Sequence, residues 1–326
     1  MKKISLWLGI AISVIAIFLT LRGIDWAKLS ETLSQANLLY LIPATFALVL
    51  SIYLRSFRWR MLFYPVKGLS IKKLFSALNI GYLFLNVLPA RLGEFVRVFV
   101  IGKSQNVSKA HALSTIVVER ILDIFAILIF LLLLMPFVHL PSWVASSAIT
   151  ISLVFVSIGL IAIILSTKKT TAFFVHFLTK FSILKKAGPV IQNLSLGLAT
   201  LRKPKIFFSG LSLTLVVWIL TGLVTWFSLK SANISDSIFV AFFSLCATTL
   251  AAVIPSTPGY IGVYQYVAIL SLAPFGIAKE PALGFAILIS AINYFGTTTL
   301  GIGSLFYEKL SFFELKNTKI IDEKIS

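Results

Sequence analysis

Six charged residues in strongly apolar surroundings carry the chemistry of this sequence: Arg91, Glu94, Arg97, Glu119, Arg120 and Asp123. Their formal charges sum to zero. Glu94 and Arg97 are three positions apart, and Glu119 and Asp123 four, so on helices each pair shares a face. Arginine guanidinium groups suit phosphate oxygens, and the fork of Arg91 suits bidentate contact. One reading makes Arg91 and Arg97 hold a lipid phosphate, while Glu94, Glu119 and Asp123 position the arginines or meet a cationic part of the headgroup. The other makes the six a structural salt-bridge network. Charges at membrane depth are costly and favour function by default, without deciding between these readings.

The first three charges sit in the stretch Asn86-Val87-Leu88-Pro89-Ala90-Arg91-Leu92-Gly93-Glu94-Phe95-Val96-Arg97. Asn86 adds an amide for a headgroup, and Pro89 and Gly93 break any helix passing through. A second break occurs at Pro255-Ser256-Thr257-Pro258-Gly259-Tyr260-Ile261-Gly262, followed by Tyr264 and Gln265. Gly259 and Gly262 would let backbone approach a headgroup, with Gln265 as a hydrogen-bonding partner. The glycines would equally serve close helix contact in a membrane.

A membrane is what the composition demands. The chain of 326 residues is 58% hydrophobic and only 12% charged, against about 25% charged in globular chains. Its mean hydropathy is +0.98. Apolar runs of spanning length recur. The net charge of +18 resides in loops between these runs, which excludes a nucleic-acid-binding face and indicates topology signals and anionic headgroups. One cysteine, Cys246, precludes an intrachain disulfide. His111, His139 and His176 are scattered, so no metal site is expected, and no nucleotide or other cofactor motif occurs. Met1-Lys2-Lys3 and the long apolar run to Leu21 lack a cleavage site and read as an uncleaved first span.

The expected architecture is an all-α polytopic membrane protein forming a single transmembrane domain over 1–326, with six full spans and two re-entrant helical hairpins. The spans are about 4–21, 38–54, 110–135, 143–165, 206–229 and 282–306. Residues 22–37 read as a short polar link, and Arg55 to Arg60 as a basic border outside the second span. The hairpins cover 74–102 and 238–272. Residues 168–205 form a basic cytoplasmic connector with an amphipathic pattern. With the N-terminus, 55–109, 168–205 and the tail on the cytoplasmic side, that side holds 24 of the 29 lysines and arginines, which predicts N-in and C-in. The hairpins then enter from opposite faces. Span, hairpin, span occurs twice in opposite orientation, as repeat A over 38–135 and repeat B over 206–306. Such inverted repeats with broken helices are a transporter design.

The Asn-x-x-Leu-Pro-x-Arg-x-Gly-Glu pattern at 86–94, Glu119-Arg120 with Asp123, and the Pro-x-x-Pro-Gly-x-x-Gly pattern at 255–262 resemble the flippase-like family of integral membrane proteins. This is the family of the transmembrane region of lysylphosphatidylglycerol synthases, and the resemblance covers roughly 10–305. It implies inverted repeats and movement of a lipid between leaflets of a prokaryotic cytoplasmic membrane. Two departures qualify it. Gln265 stands near where the family usually carries a glutamate, which removes a charge. The chain also stops soon after its last span, without the soluble aminoacyl-transferase domain of the synthases, so lysine transfer is not expected and the chain reads as a non-enzyme. The expected function is translocation of a phospholipid, glycolipid or polyprenyl-phosphate-linked lipid. The alternatives are an intramembrane lipid-modifying transferase and a non-catalytic partner of one. Expected partners are membrane lipids with anionic headgroups, together with a lipid-modifying enzyme or a second copy of the chain.

Overall fold

The computed structural model describes residues 2–88, 92–137, 203–234, 237–252 and 256–312, with isolated positions 150, 157 and 315. Pro89, Arg91, Pro255, nearly all of the fourth span and most of the 168–205 connector lie outside the described residues. Those described form ten α-helices and short 3-10 turns. In chain order they are α1 (Lys2–Leu21), α2 (Trp26–Ser34), α3 (Leu41–Leu62), α4 (Ile71–Val87), α5 (Gly93–Gln105), α6 (Lys109–Leu134), α7 (Pro204–Ser231), α8 (Ile238–Ala251), α9 (Val263–Leu272) and α10 (Lys279–Glu308).

The stretch from Leu38 through α3, α7 and α10 are each long and apolar enough to cross a membrane. A fourth candidate is α1 with α2, which bend by 89° at Gly23. The outer surface of the bundle agrees with a lipid environment. Leu39, Phe46, Phe295 and Phe306 are at least two-thirds exposed, an arrangement that hydrocarbon tolerates and water penalises.

Two differences from the sequence expectation matter. Residues 22–37 contain the helix α2 rather than a plain link. Asp25 caps it, its side chain accepting the amide N–H groups of Ala27 and Lys28 at 3.0 and 3.2 Å, which satisfies donors that a helix start leaves open. Leu29 is its buried residue, and Trp26 stays exposed. The second difference is that the helix expected to end at Leu54 continues to Leu62. The run Arg55 to Arg60 is therefore part of α3 rather than a border. Arg58 is fully buried inside the bundle. This is sustainable because carboxylates at the same depth compensate it.

Two helical hairpins are present. In the first, α4 and α5 lie against each other where Gly93 meets Gly81: a Cβ on Gly93 would overlap the Gly81 carbonyl oxygen. In the second, α8 and α9 are joined partly by a 3-10 turn at Pro258–Tyr260, with Gly259 and Gly262 at φ +70° and +89°. These left-handed conformations are open to glycine at little cost. Helix α1 seats on this hairpin, Ser13 Oγ accepting the Thr257 N–H at 2.9 Å.

Helix α10 serves both hairpins. It runs antiparallel to α4, with Lys73 bonded to Glu308 at 2.9 Å, Ser76 donating to the Ser304 carbonyl at 3.3 Å, and Asn86 donating to Thr297 at 2.9 Å. It also packs on α9 and on α2. At its start, the Lys279 ammonium donates to the carbonyls of Leu19 and Arg22 at 3.1 and 2.5 Å, capping the end of α1.

Candidate functional site

Helices α3, α5, α6 and α7 converge on a cluster of buried charge. Glu119 and Asp123 lie one turn apart on α6 and both face Arg58 of α3. Arg58 Nη1 donates to Asp123 Oδ1 at 2.6 Å and to Thr214 Oγ1 of α7 at 3.1 Å. Arg58 Nη2 lies 3.2 Å from Glu119 Oε1. From α5, Arg97 Nη1 donates to Glu119 Oε2 at 3.2 Å. Arg120 Nη2 donates to Glu119 Oε1 at 2.9 Å, and its Nη1 is 3.4 Å from Asp123 Oδ2. Glu94 of α5 joins more loosely, at 3.8 Å from Arg120.

Two tryptophans frame the cluster. Trp218 Nε1 donates to Asp123 Oδ1 at 3.1 Å. Trp59 donates to Thr115 Oγ1 at 2.8 Å and turns its ring to the Arg97 guanidinium at 5.1 Å. Arg58, Glu119, Asp123 and Arg97 are buried, whereas the side chain of Arg120 is 40% exposed and that of Glu94 21%. The cluster thus runs from a sealed interior at Arg58 to an accessible edge at Arg120 and Glu94.

The charges of Arg58, Arg97 and Arg120 cancel those of Glu94, Glu119 and Asp123. Neutrality alone does not satisfy the guanidinium groups. Nε of Arg58, Nε and Nη2 of Arg97, and Nε of Arg120 are buried without an acceptor among the described residues. Buried N–H groups of this kind call for acceptors. Arginine forks next to one another are suited to oxygens of a phosphate or carboxylate.

Of the residues singled out from sequence, Glu94, Arg97, Glu119, Arg120 and Asp123 are brought together here. Glu94 and Arg97 do not pair with each other, because Arg97 turns to Glu119 and Glu94 to Arg120. Arg91 and Pro89 lie outside the described residues, whereas Gly93 begins α5 at the contact with Gly81. Asn86 is elsewhere: its amide donates to Thr297 and Thr298 of α10 at 2.9 and 3.1 Å. Gln265 is also committed locally, accepting the Gly262 N–H at 2.7 Å and donating to Ser290 at 3.1 Å. Pro258 and Gly259 form the turn of the second hairpin, and Pro255 lies outside the described residues. The sequence reading missed Arg58, with Thr214, Trp59 and Trp218 as its framework. Among the described residues, no three His, Cys, Asp or Glu side chains converge as metal ligands.

A buried, charge-balanced arginine–carboxylate cluster beside a helical hairpin is set among motifs that match a known family model. Residues 6–301 fit the lysylphosphatidylglycerol synthase TM region. The chain belongs to this family. Similar proteins include a UPF0104 membrane protein of Methanocaldococcus jannaschii, 28% identical over 241 residues, covering 73% of this chain and all of that protein. Another UPF0104 membrane protein, of Methanothermobacter thermautotrophicus, is 19% identical over 320 residues, covering 91% of this chain and 94% of that protein. The chain is also similar to the glycosyltransferase AglD of Haloferax volcanii, at 23% identity over 346 residues, covering 93% of this chain and 54% of that protein. No solved structure matches. Membership makes this chain a membrane protein, and the archaeal relatives indicate a prokaryotic membrane.

Proposed function

We propose that this member of the lysylphosphatidylglycerol synthase TM region family translocates an anionic lipid between membrane leaflets. The observation that carries the reading is the cluster of Arg58, Arg97 and Arg120 with Glu94, Glu119 and Asp123. Six ionic groups in an apolar bundle are expensive to desolvate, and a purely structural role would be served as well by apolar side chains. The buried N–H groups of Arg58 and Arg97 without acceptors supply what a lipid phosphate needs.

The arrangement of helices supports a pathway. In this reading the chain crosses the membrane six times, with both termini cytoplasmic, and the α4/α5 and α8/α9 hairpins are re-entrant from opposite faces as parts of inverted repeats. The 3-10 turn at Pro258–Tyr260 touches α4, so the second hairpin's turn approaches the first hairpin. Helix ends meeting inside a membrane offer backbone N–H groups to anionic ligands. The chain acts as a carrier rather than an enzyme, and partners such as a lipid-modifying enzyme or a second copy act beside it. The name of the AglD relative favours a glycosylated lipid, including a polyprenyl-phosphate-linked one, over an unmodified phospholipid.

The test is headgroup-resolved translocation in proteoliposomes, comparing phosphatidylglycerol, a glycolipid and a polyprenyl-phosphate-linked sugar. Translocation of one of them is expected, with loss in Arg97→Ala and Glu94→Gln. Normal folding with undiminished translocation in both variants would sink the reading of this cluster as the headgroup site.

A further inference from the structure

The three arginines in ion-pair contact with Glu119 are not equivalent. Arg58 has Asp123 at 2.6 Å as well as Glu119 at 3.2 Å. Arg120 has Asp123 at 3.4 Å and Glu94 at 3.8 Å as well as Glu119 at 2.9 Å. Arg97 has Glu119, at 3.2 Å, as its one carboxylate partner among the described residues. Its other neighbour is the Trp59 ring at 5.1 Å, which leaves Nε and Nη2 unsatisfied. Withdrawal of Glu119 would therefore uncover a single cation, Arg97, while Arg58 and Arg120 stay compensated.

Glu119 also has a place to go. Its shortest contact is to Arg120, the most accessible of the three arginines. A small rotation that gives up Arg97 would keep that charge-assisted bond. A single freed guanidinium matches one negative charge and, through its fork, two oxygens on one phosphorus.

We propose that Glu119 is an exchangeable resident anion. It occupies the Arg97 guanidinium until a monoanionic phosphodiester headgroup takes its place, and then it bonds to Arg120 alone. The inference rests on the transport reading and adds to it the charge class of the ligand and a release step. No bond is made or broken covalently, and the cluster's own charge is unchanged by the exchange. Arg97 is never left as an uncompensated buried charge, a state that costs stability heavily. On the return of Glu119 the headgroup is expelled, so one carboxylate keeps the site folded when empty and sets the rate at which it empties.

The experiment uses the full chain in nanodiscs of phosphatidylcholine and measures uptake of phosphatidylglycerol, whose phosphodiester carries one charge. A parallel arm offers water-soluble glycerophosphoglycerol, which has the same phosphodiester without acyl chains. Glu119→Gln removes the competing anion, so phosphatidylglycerol should bind roughly tenfold tighter and leave more slowly, with translocation reduced. Soluble glycerophosphoglycerol binding as well as the lipid would assign the site to a free phosphodiester and overturn the lipid part of the proposal. A second measurement does not depend on how Glu119→Gln folds. The infrared difference spectrum of the unmodified chain on adding phosphatidylglycerol should show a carboxylate band change that moves in Glu119→Asp. Wild-type uptake with unchanged affinity in a folded Glu119→Gln overturns the exchange alone, as does a difference spectrum without a Glu119 band. Failure of the unmodified chain to take up either phosphatidylglycerol or a polyprenyl-phosphate-linked sugar, each a phosphodiester with one charge, overturns the monoanion assignment, and failure with every lipid tested in translocation overturns the transport reading itself.

Discussion

Arg58 and Asp123 bond at 2.6 Å inside the bundle, although 65 positions separate them in the chain. Removing one partner of such a buried pair leaves the other uncompensated and costs about 3–5 kcal/mol, whereas replacing both by apolar side chains is far milder. Arg58→Met and Asp123→Leu should each lower the thermal midpoint in detergent sharply. The double variant should recover much of that loss, although Glu119 and Thr214 then lose a neighbour. A double variant whose loss equals the sum of the two singles would show that the pair is not energetically coupled.

The fate of Arg58 shows what the sequence could and could not disclose. Glu119 and Asp123 were legible because both fall within an apolar run of spanning length, where a carboxylate stands out. Arg58 was not, because a first arginine after an apolar run marks the membrane border by the usual rule, whereas α3 continues past Arg55 to Leu62. The run Leu38–Leu54 is shorter than the ~20 residues that cross hydrocarbon, and that shortfall was the available signal that the helix goes on through Arg55 and Arg58. The hairpin around 86–97 was legible from its proline and glycine. That Asn86 turns away to α10, and that Glu94 and Arg97 choose different partners on α6, depends on how helices are rotated against one another, which spacing within one helix does not encode.

Gly93 sets how closely α4 and α5 approach. A methyl group there would overlap the Gly81 carbonyl oxygen and the Leu85 amide nitrogen, both backbone atoms that cannot rotate aside. Gly93→Ala should therefore force the hairpin apart and cost about 1–3 kcal/mol, the range of core overpacking. Because Arg97 lies on α5, the same substitution should weaken uptake of an anionic lipid. Unfolding and lipid uptake measured on one preparation would check both. A stable Gly93→Ala chain would show that the hairpin separates without cost.

Tyr64 and Lys203 close the gap between the ends of α3 and α7. The Lys203 ammonium donates to the Tyr64 hydroxyl at 2.6 Å and lies 4.0 Å from the centre of its ring. Hydrogen bonding and charge from Lys203 favour the phenolate and hold Tyr64 below the usual tyrosine range. An acid whose folded-state value is depressed stabilises the fold above its unfolded value, and that contribution disappears as pH falls through the folded one. The gain is thus confined to alkaline solution and absent at neutral pH. Titration followed by phenolate absorbance should show one tyrosine ionising early, missing in Tyr64→Phe and returned to the ordinary range in Lys203→Met. Added salt should shrink the shift, since both groups face solvent.

Near their turns, both hairpins are tied to helix α10 by side-chain amides, Gln265 to Ser290 at 3.1 Å and Asn86 to Thr297 at 2.9 Å. Ser290 and Thr297 are two turns apart, about 10 Å along the helix, so the two attachments are energetically separate but share one rigid element. Asn86→Ala and Gln265→Ala should each cost about 1 kcal/mol of stability, and their costs should add, as expected for sites at that distance. Transport should behave differently. If the hairpins move against α10 to pass a headgroup, freeing one turn leaves the other tied to the same helix, and freeing both leaves only the Lys73–Glu308 and Ser76–Ser304 contacts at the far end of α4 to set the register. The double variant should then lose more translocation than the product of the single losses, while its stability remains additive. Additive behaviour in both measurements would mean that the hairpins work without α10 as a common strut.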